Sequence, residues 1–322
     1  MREIIVTANE AGQRFDKLLA KYLNQAPKSF VYKMLRKKNI VLNGKKATGS
    51  EKLAVGDSVK LFLADETIQK FSKTEIVKTN VNLDIVYEDE HILLINKPVG
   101  MLSQKAETKD ESLVEHIISY MLNTGQLTET DLRSFKPSIC NRLDRNTSGL
   151  VVAGKSLLGL QTMGELIKSR SIKKYYRCLV LGEIKKREYI KGYLTKDEIT
   201  NKVCILAKKE EGAMQIETAY EPIWSNGKIT LLEVHLITGR THQIRAHLSS
   251  ISHPIIGDYK YGDRNINDEY KEKYGLTSQL LHAFRLELPE LEEPFSYVSN
   301  KQFVAPIPTL FETILQSENY EG

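Results

Sequence analysis

Five strand-like segments follow one another between residues 175 and 237, with only short turns between them. They cover residues 175–181, 189–194, 202–206, 214–220 and 229–237. Asn226 and Gly227, which separate the last two segments, are a typical hairpin pair. Consecutive strands with so few helices between them predict an antiparallel or mixed sheet.

A further strand and two helices are predicted before this series of strands. Residues 92–95 form a further apolar run, and residues 112–122 have a helical pattern. Another helix is expected to begin near a Ser156 cap. Its apolar face would be formed by Leu157, Leu160, Met163 and Ile167. The predicted fold class is therefore α+β, with a mixed, mainly antiparallel sheet, flanking helices and a small N-terminal domain.

The N-terminal domain is predicted to span residues 1–65. The apolar residues of its first helix recur at i, i+3, i+4, i+7 and i+8. They are Phe15, Leu18, Leu19, Tyr22 and Leu23. Residues 66–80 are polar without a sustained period and are predicted to be a linker. Residues 81–322 would then form the second, larger domain.

Positive charge is concentrated in the N-terminal domain. Residues 17–50 contain nine basic residues and no Asp or Glu, so without them the net charge of +5 would be negative. This distribution favours a nucleic-acid contact over an αα-hairpin with a solvated basic face. The predicted RNA contacts are Lys28, Lys33, Arg36, Lys37, Lys38, Lys45 and Lys46.

Several classes of protein are not supported by the composition. No apolar run approaches the roughly 18 residues needed to cross a bilayer, so no membrane partner is expected. The N-terminus has an early acid, Glu3, and no long apolar stretch, so no signal peptide is expected. The three cysteines are widely separated and lack C-x-x-C spacing, so we expect no zinc site or disulfide framework and a cytoplasmic location.

The segment most suggestive of chemistry is residues 141–149, Asn-Arg-Leu-Asp-Arg-Asn-Thr-Ser-Gly. It places Asp144 between Arg142 and Arg145, and neighbouring cations favour the ionised form of a carboxylate. The Thr-Ser-Gly that follows predicts a tight turn before the apolar run at 150–153. The alternative is a surface Asp between solvated arginines.

This segment resembles the catalytic motif of pseudouridine synthases of the ribosomal large-subunit type. The resemblance implies that Asp144 is the catalytic residue. Residues 174–182 resemble the second motif of that family, with Tyr176 as its tyrosine. Residues 238–248 resemble the third motif, in which Arg245 matches the arginine that pairs with the catalytic carboxylate. One departure is Asn141, where many members of the family carry His.

The resemblance also implies the RNA contacts and the two-domain plan. Residues 1–65 resemble the α-L RNA-binding module first seen in a ribosomal small-subunit protein. The implied substrate-binding residues are Arg142, Thr147, Lys97, Arg240, His242 and Gln243. For Lys97, a structural role is the alternative, and for Arg240 and Gln243, capping of a helix. Thr147 belongs to the turn that presents Asp144. His242 and His247 would lie about 140° apart around a helix, so a shared metal is not expected.

The implied reaction is the isomerisation of uridine to pseudouridine, for which large-subunit ribosomal RNA is the expected substrate. It breaks the bond from ribose to the base nitrogen and rejoins the base through carbon, so neither a cofactor nor a metal is required. Asp144 could stabilise, trap or deprotonate the electron-poor sugar, while Tyr176 would stack on uracil or act in proton transfer. One alternative is a catalytically silent RNA-binding or ribosome-assembly factor, and another is hydrolytic removal of a base.

Overall fold

A computed structural model of the chain describes residues 1–72, 79, 82–107, 109–197 and 202–320. The N-terminal part contains helices α1 (Phe15–Tyr22), α2 (Lys28–Arg36) and α3 (Asp65–Phe71) and strands β1 (Arg2–Ile5), β2 (Ile40–Leu42), β3 (Lys45–Lys46) and β4 (Ser58–Leu61). The strands pair antiparallel in the order β1-β4-β2-β3. The predicted apolar face of α1 is buried in the core of this part, as amphipathic spacing requires. Asn43 and Gly44 both have positive φ and form the predicted β2–β3 hairpin turn.

The first part of the predicted linker forms a helix instead. Within α3, Ile68 is buried in the N-terminal core, and the ring of Phe71 lies 4.7 Å from that of Phe30. Two isolated apolar residues do not create a visible period, but here both pack against the N-terminal core. The remainder of the predicted linker, apart from Ser72 and Thr79, lies outside the described residues.

The larger part is built on one sheet, to which the described residues contribute eleven strands. Its strands are β5 (Ile85–Glu88), β6 (Ile92–Lys97), β7 (Ser138–Ile139), β8 (Ser148–Gly154), β9 (Lys173–Leu181), β10 (Glu188–Lys196), β11 (Val203–Leu206), β12 (Met214–Ser225), β13 (Ile229–Leu236), β14 (Leu281–Glu287) and β15 (Gln302–Val304). The order is β11-β10-β12-β13-β9-β14-β8-β6-β5, with β15 paired to β14 and β7 to β8. Among these eleven described strands, the short β8–β14 pairing alone is parallel, so the predicted mixed, mainly antiparallel sheet is confirmed.

Within the described ranges, five α-helices accompany this sheet: α4 (Leu113–Asn123), α5 (Leu157–Lys168), α6 (Gln243–Ser250), α7 (Arg264–Tyr274) and α8 (Thr309–Ser317). Ser156 caps α5 as predicted, because its side chain accepts a hydrogen bond from the Gly159 backbone at 3.0 Å. The largest core cluster combines apolar residues of α4 and α6 with the inward face of the central strands, including Val151, Tyr176 and Val234. No helix in the described parts of the chain is long and apolar enough to span a membrane.

The register of three central strands brings distant segments together. Ala283 on β14 pairs with Gly149 on β8 and with Tyr176 on β9. The turn that carries Asp144 enters β8 at this level, so the Asp144 loop is fixed beside Tyr176. Gly149 has φ +110°, and a Cβ added there would lie 2.3 Å from the Ala283 carbonyl oxygen. Only glycine permits this approach.

We expect Gly149→Ala to destabilise the protein by at least about 2 kcal/mol, because the new methyl group must displace the β14 backbone. The measurement is the free energy of unfolding from urea denaturation. Gly164→Ala is the matched control, because an added Cβ at that position in α5 meets no atom within 4 Å. Alanine should stabilise that helix by up to about 1 kcal/mol. Equal stability of Gly149→Ala and the wild type would contradict this account of the β8–β14 contact.

Candidate active site

Asp144 lies in the loop between β7 and β8, in a turn closed by a 3.0 Å hydrogen bond from the Thr147 backbone to its carbonyl. Ser103 holds the preceding residue: its hydroxyl donates to the Leu143 carbonyl at 2.7 Å and accepts from the Leu143 amide at 3.0 Å. The Asp144 side chain is 28% exposed, so its carboxylate reaches a cleft. The loop is therefore anchored by its backbone while the acid stays accessible.

Lys97 holds this loop through hydrogen bonds to its backbone. Its ammonium is buried and donates to three backbone carbonyls, those of Pro98 (2.9 Å), Met101 (2.9 Å) and Arg145 (3.2 Å). Burial lowers the pKa of Lys97 to about 8, although the charge of Asp144 opposes the shift. The structure thus gives Lys97 the structural role that was the alternative to substrate binding, because all three of its donors are occupied.

Arg245, on α6, links Asp144 to a second carboxylate. Its Nη1 donates to Asp144 Oδ2 at 2.9 Å, while Nε and Nη2 donate to Asp258 at 2.6 and 2.9 Å. Burial opposes the charged form of Arg245, but hydrogen bonds to Asp258 and the charges of Asp258 and Asp144 outweigh it and raise the pKa of Arg245 above its usual value. The bidentate pair with Asp258 fixes the guanidinium plane, which leaves one nitrogen to hold Asp144.

Asp258 is itself tightly held. It is 1% exposed, and its Oδ1 also accepts from the backbone amides of Lys260 (2.9 Å) and Tyr261 (3.1 Å). Residue spacing gave no signal for its role, because Asp258 lies thirteen residues after Arg245 and does not share its helix. Only its place in a segment similar to the family, residues 253–258, could have singled it out.

His242 also lies close to the Asp144 carboxylate. Its Nε2 is 3.7 Å from Asp144 Oδ2, and its Nδ1 is 2.9 Å from the Tyr261 hydroxyl. Burial lowers the pKa of His242, and the charge of Asp144 only partly opposes that shift. Its φ of 53° lies in the left-handed region just before α6, which is uncommon for a side-chain-bearing residue and typical of functional sites. The predicted substrate contact therefore lies beside the acid.

Tyr176, on β9, lines the same cleft and is almost fully buried. Among the residues that the structure describes, its hydroxyl has no hydrogen-bond partner. Burial, followed by the charge of Asp144, raises the pKa of Tyr176 well above its usual value. The structure thus brings together the three residues predicted to be catalytic, Asp144, Tyr176 and Arg245.

The cleft that contains these residues has a volume of about 690 Å³. Among the described residues, its lining carries five lysine or arginine side chains and a single carboxylate, that of Asp144; the cations are Lys105, Arg142, Lys174, Arg240 and Arg245. Arg142 and Arg240 are exposed, as expected of residues that contact a substrate. A cleft with this balance of charge attracts a polyanion.

Two other residues that were predicted to contact the substrate form hydrogen bonds within the protein instead. Gln243 is buried, its Oε1 accepts from Thr238 Oγ1 and the Arg240 amide, and its Nε2 donates to the Glu217 carbonyl and Thr218 Oγ1. No polar capacity of its amide remains for a substrate. Thr147 is also buried, and its hydroxyl accepts from Gln279 Nε2 at 3.2 Å. Both residues line the cleft, but their polar atoms hold the surrounding loops in place.

A buried histidine supports the same turn from β14. His282 Nε2 lies 3.2 Å from the Ala305 carbonyl, so this nitrogen donates and Nδ1 accepts from Ser148 Oγ at 2.8 Å. Burial is the main cause that lowers the pKa of His282 to about 4.

The protein should therefore become less stable as the pH falls from about 6.5 to 4. In that interval the unfolded state binds a proton at position 282 and the folded state does not, which removes about 3 kcal/mol. Urea denaturation at several pH values would measure the decline. His282→Gln should show a shallower decline over the same interval, and an equal slope in variant and wild type would contradict the assignment.

The seven predicted RNA contacts of the N-terminal part all have exposed side chains on α2, the turn after it and β3. In the portion of the chain that the structure covers, none of the seven forms an ion pair with a carboxylate. Their charges therefore face solvent without compensation. Elsewhere, no group of three or more His, Cys, Asp or Glu among the described residues is placed to hold a metal ion.

The fold and the site together define an enzyme that places a carboxylate–guanidinium pair in a cleft suited to a polyanion. The family model described as RNA pseudouridylate synthase matches residues 91–250. The chain is 30% identical to the ribosomal large subunit pseudouridine synthase C of Vibrio vulnificus, over 95% of this chain and 93% of the relative. The protein of the same name from Escherichia coli K12 is 30% identical over 88% of this chain and 87% of its own length.

An uncharacterized RNA pseudouridine synthase of Mycoplasma capricolum is also 30% identical, over 94% of this chain. The solved structure of human RNA pseudouridylate synthase domain containing 4 has a TM-score of 0.58 and 23% identity, and the match covers 74% of this chain and 94% of the human one. The chain belongs to the RNA pseudouridylate synthase family. It is an RNA pseudouridine synthase, as the sequence predicted.

Proposed function

We propose that this enzyme converts specific uridines of large-subunit ribosomal RNA to pseudouridine, with Asp144 as the catalytic carboxylate. The observation that carries the proposal is the 2.9 Å contact between Asp144 and Arg245 in a cleft with five cations and one carboxylate. The choice of ribosomal RNA is supported by the names of the relatives from Vibrio and Escherichia coli. A cytoplasmic location, where ribosomal RNA is available, is part of the proposal.

Asp144 acts on the ribose carbon from which the base departs. The bond between that carbon and the base nitrogen breaks, the base rotates, and a new bond forms to carbon 5 of uracil. Carbon 5 then loses its proton and the former glycosidic nitrogen gains one, so the atoms balance without a second substrate. Arg245 orients the carboxylate and balances its charge, and the pair with Asp258 keeps Arg245 in place.

Tyr176 packs against the uracil ring and keeps its proton. Because burial and the charge of Asp144 raise the pKa of its phenol, the hydroxyl is neutral at physiological pH. It is therefore suited to packing or donating a hydrogen bond rather than to removing the proton from carbon 5. His242 and Asp144 both line the cleft, with His242 Nε2 3.7 Å from Asp144 Oδ2, where the uridine, extruded from its stack, must be held.

The N-terminal part serves as the RNA-binding domain in this proposal, with residues 1–72 as one unit and residues from 82 onward as the other. Between the described residues of the two parts there are two hydrogen bonds: Ser134 Oγ donates to Glu10 Oε1 at 2.7 Å, and the Leu157 amide donates to Asn9 Oδ1 at 3.1 Å. Glu10 is buried at this contact, and its other oxygen accepts from Thr7. Such contacts favour a defined orientation of the basic surface relative to the cleft.

Removing three of the exposed cations, as Lys33→Gln, Arg36→Gln and Lys37→Gln together, should weaken binding of ribosomal RNA and make it less sensitive to salt. Each lost phosphate contact lowers the slope of log affinity against log salt by about 0.7–0.9, so we expect a fall of about 2. Filter binding across a salt series would measure it. Lys168→Gln, which removes an exposed cation on α5, should leave the slope unchanged. An unchanged slope in the triple variant would exclude this surface.

The function is tested by incubating the purified protein with large-subunit ribosomal RNA from a strain that lacks it and then analysing the nucleosides. Pseudouridine at defined positions is expected. Release of free uracil would instead indicate hydrolysis, and tight binding with no change in any uridine would indicate the catalytically silent factor. Nothing in the comparisons favours that silent alternative.

A further inference from the structure

Lys174 is a buried cation inside the cleft that the reaction as described above does not use. It lies on β9 two residues before Tyr176, so both side chains point to the same side of the strand, about 7 Å apart along it. Lys174 is 8% exposed and lines the cleft. In the described portion of the chain its ammonium has no hydrogen-bond or ion-pair partner.

The described residues around this ammonium offer it no protein anion. The single carboxylate of the cleft lining, that of Asp144, is already engaged by Arg245. The nearby charge of Arg170 is also positive, and burial together with that charge lowers the pKa of Lys174. A buried charge is costly unless it is paired, so this arrangement is stabilised by an anionic ligand that enters the cleft.

The backbone opposite Lys174 leaves room for such a ligand. A Cβ added at Gly239 would lie 3.3 Å from Lys174 Nζ, so any side chain at that position would crowd the ammonium. Arg240, the next residue, is exposed on the same cleft. Lys174 and Arg240 thus both line the cleft that also contains Tyr176.

We propose that Lys174 binds a phosphate oxygen of the target nucleotide while its uracil packs against Tyr176. This inference rests on the proposed function, because it takes a uridine in the cleft as given. An ammonium is suited to this contact as a point charge on a flexible stem. Lys174 therefore acts in substrate binding, and it secures the extruded nucleotide independently of the N-terminal basic surface.

The experiment compares the binding of three probes, uridine, uridine 5′-monophosphate and uridine 3′-monophosphate, by isothermal titration calorimetry. The wild type should bind at least one monophosphate about tenfold more tightly than uridine, as expected for a charge-assisted hydrogen bond. Lys174→Met should lose that preference while its affinity for uridine stays the same. Lys168→Met is the matched control on the exposed side of α5 and should behave as the wild type.

A second readout uses RNA and does not depend on weak nucleotide binding. Lys174→Met should raise the KM for ribosomal RNA about tenfold with little change in kcat, because the contact is made before and during the reaction. Lys174→Arg should restore part of the loss. The thermal midpoint of Lys174→Met should equal or exceed that of the wild type, because an unpaired buried charge is removed.

The proposal is overturned if the wild type shows no preference for either monophosphate, if Lys174→Met retains the preference, or if the variant loses affinity for uridine to the same extent. The last result would indicate a contact to the base instead. Nucleotide binding requires no turnover. A failure of the protein to form pseudouridine would therefore contradict the proposed function, whereas the nucleotide titrations alone test the contact between Lys174 and phosphate.

Discussion

Asp144→Asn is expected to lower the release of tritium from ribosomal RNA labelled at carbon 5 of uracil by at least about a thousandfold. The amide has nearly the shape of the carboxylate and can still meet Arg245, but it carries no negative charge to act on the electron-poor ribose carbon. The effect should appear in kcat, because the RNA is held by other groups. A single-turnover assay with excess enzyme measures it directly.

Two controls make this result specific to position 144. Asp268→Asn removes an exposed carboxylate on α7 that pairs with the exposed Arg264 and accepts a hydrogen bond from the exposed Tyr259 hydroxyl, and it should release tritium as the wild type does. Filter binding should show that Asp144→Asn retains its affinity for RNA. Equal tritium release by Asp144→Asn and the wild type would exclude a catalytic role for Asp144.

Asp258→Asn is expected to lower the free energy of unfolding by about 3–5 kcal/mol. The substitution leaves the guanidinium of Arg245 buried with only the partly exposed Asp144 as a charged partner. The amide can accept through one oxygen, but it cannot reproduce the bidentate pair of carboxylate oxygens. Tritium release should also fall, because Arg245 is no longer held in the orientation that fixes Asp144.

Urea denaturation of a double-mutant cycle measures this pair. Asp258→Asn and Arg245→Met should each be strongly destabilising, whereas the double variant should be much less destabilised than the sum, because no unpaired charge remains. Additive effects of the two substitutions would mean that the buried pair contributes no coupling. The double variant should remain inactive even where it is stable, since it lacks the group that orients Asp144.

The predictable part of the fold was the part determined by local pattern. Alternating apolar residues indicated the strands from 175 to 237, and Asn43 with Gly44 indicated a turn that needs positive φ. The helix α3 was missed because only Ile68 and Phe71 are apolar in a polar segment, and their burial depends on partners elsewhere in the N-terminal part.

For the site, the sequence predicted which residues lie together in the cleft. It did not predict which of their polar groups form hydrogen bonds within the protein. Asp144, Tyr176 and Arg245 converge, as the motifs indicated. Lys97, Thr147 and Gln243 were expected to contact substrate, yet each hydrogen-bonds backbone or neighbouring side chains. A polar side chain contacts a ligand only when its neighbours leave a donor or acceptor free, and sequence does not show which neighbours those are.

The amino-acid sequence by itself determined the sheet-forming segments, the basic N-terminal surface and the carboxylate flanked by arginines, because each depends on residues close together in the chain. Tertiary structure alone decided that Asp258 would hold Arg245, that Gly149 would meet β14, and that Lys174 would be buried without an acid beside it. Those outcomes depend on strand register and on which distant groups share a low-dielectric interior, where pairing between charges matters most.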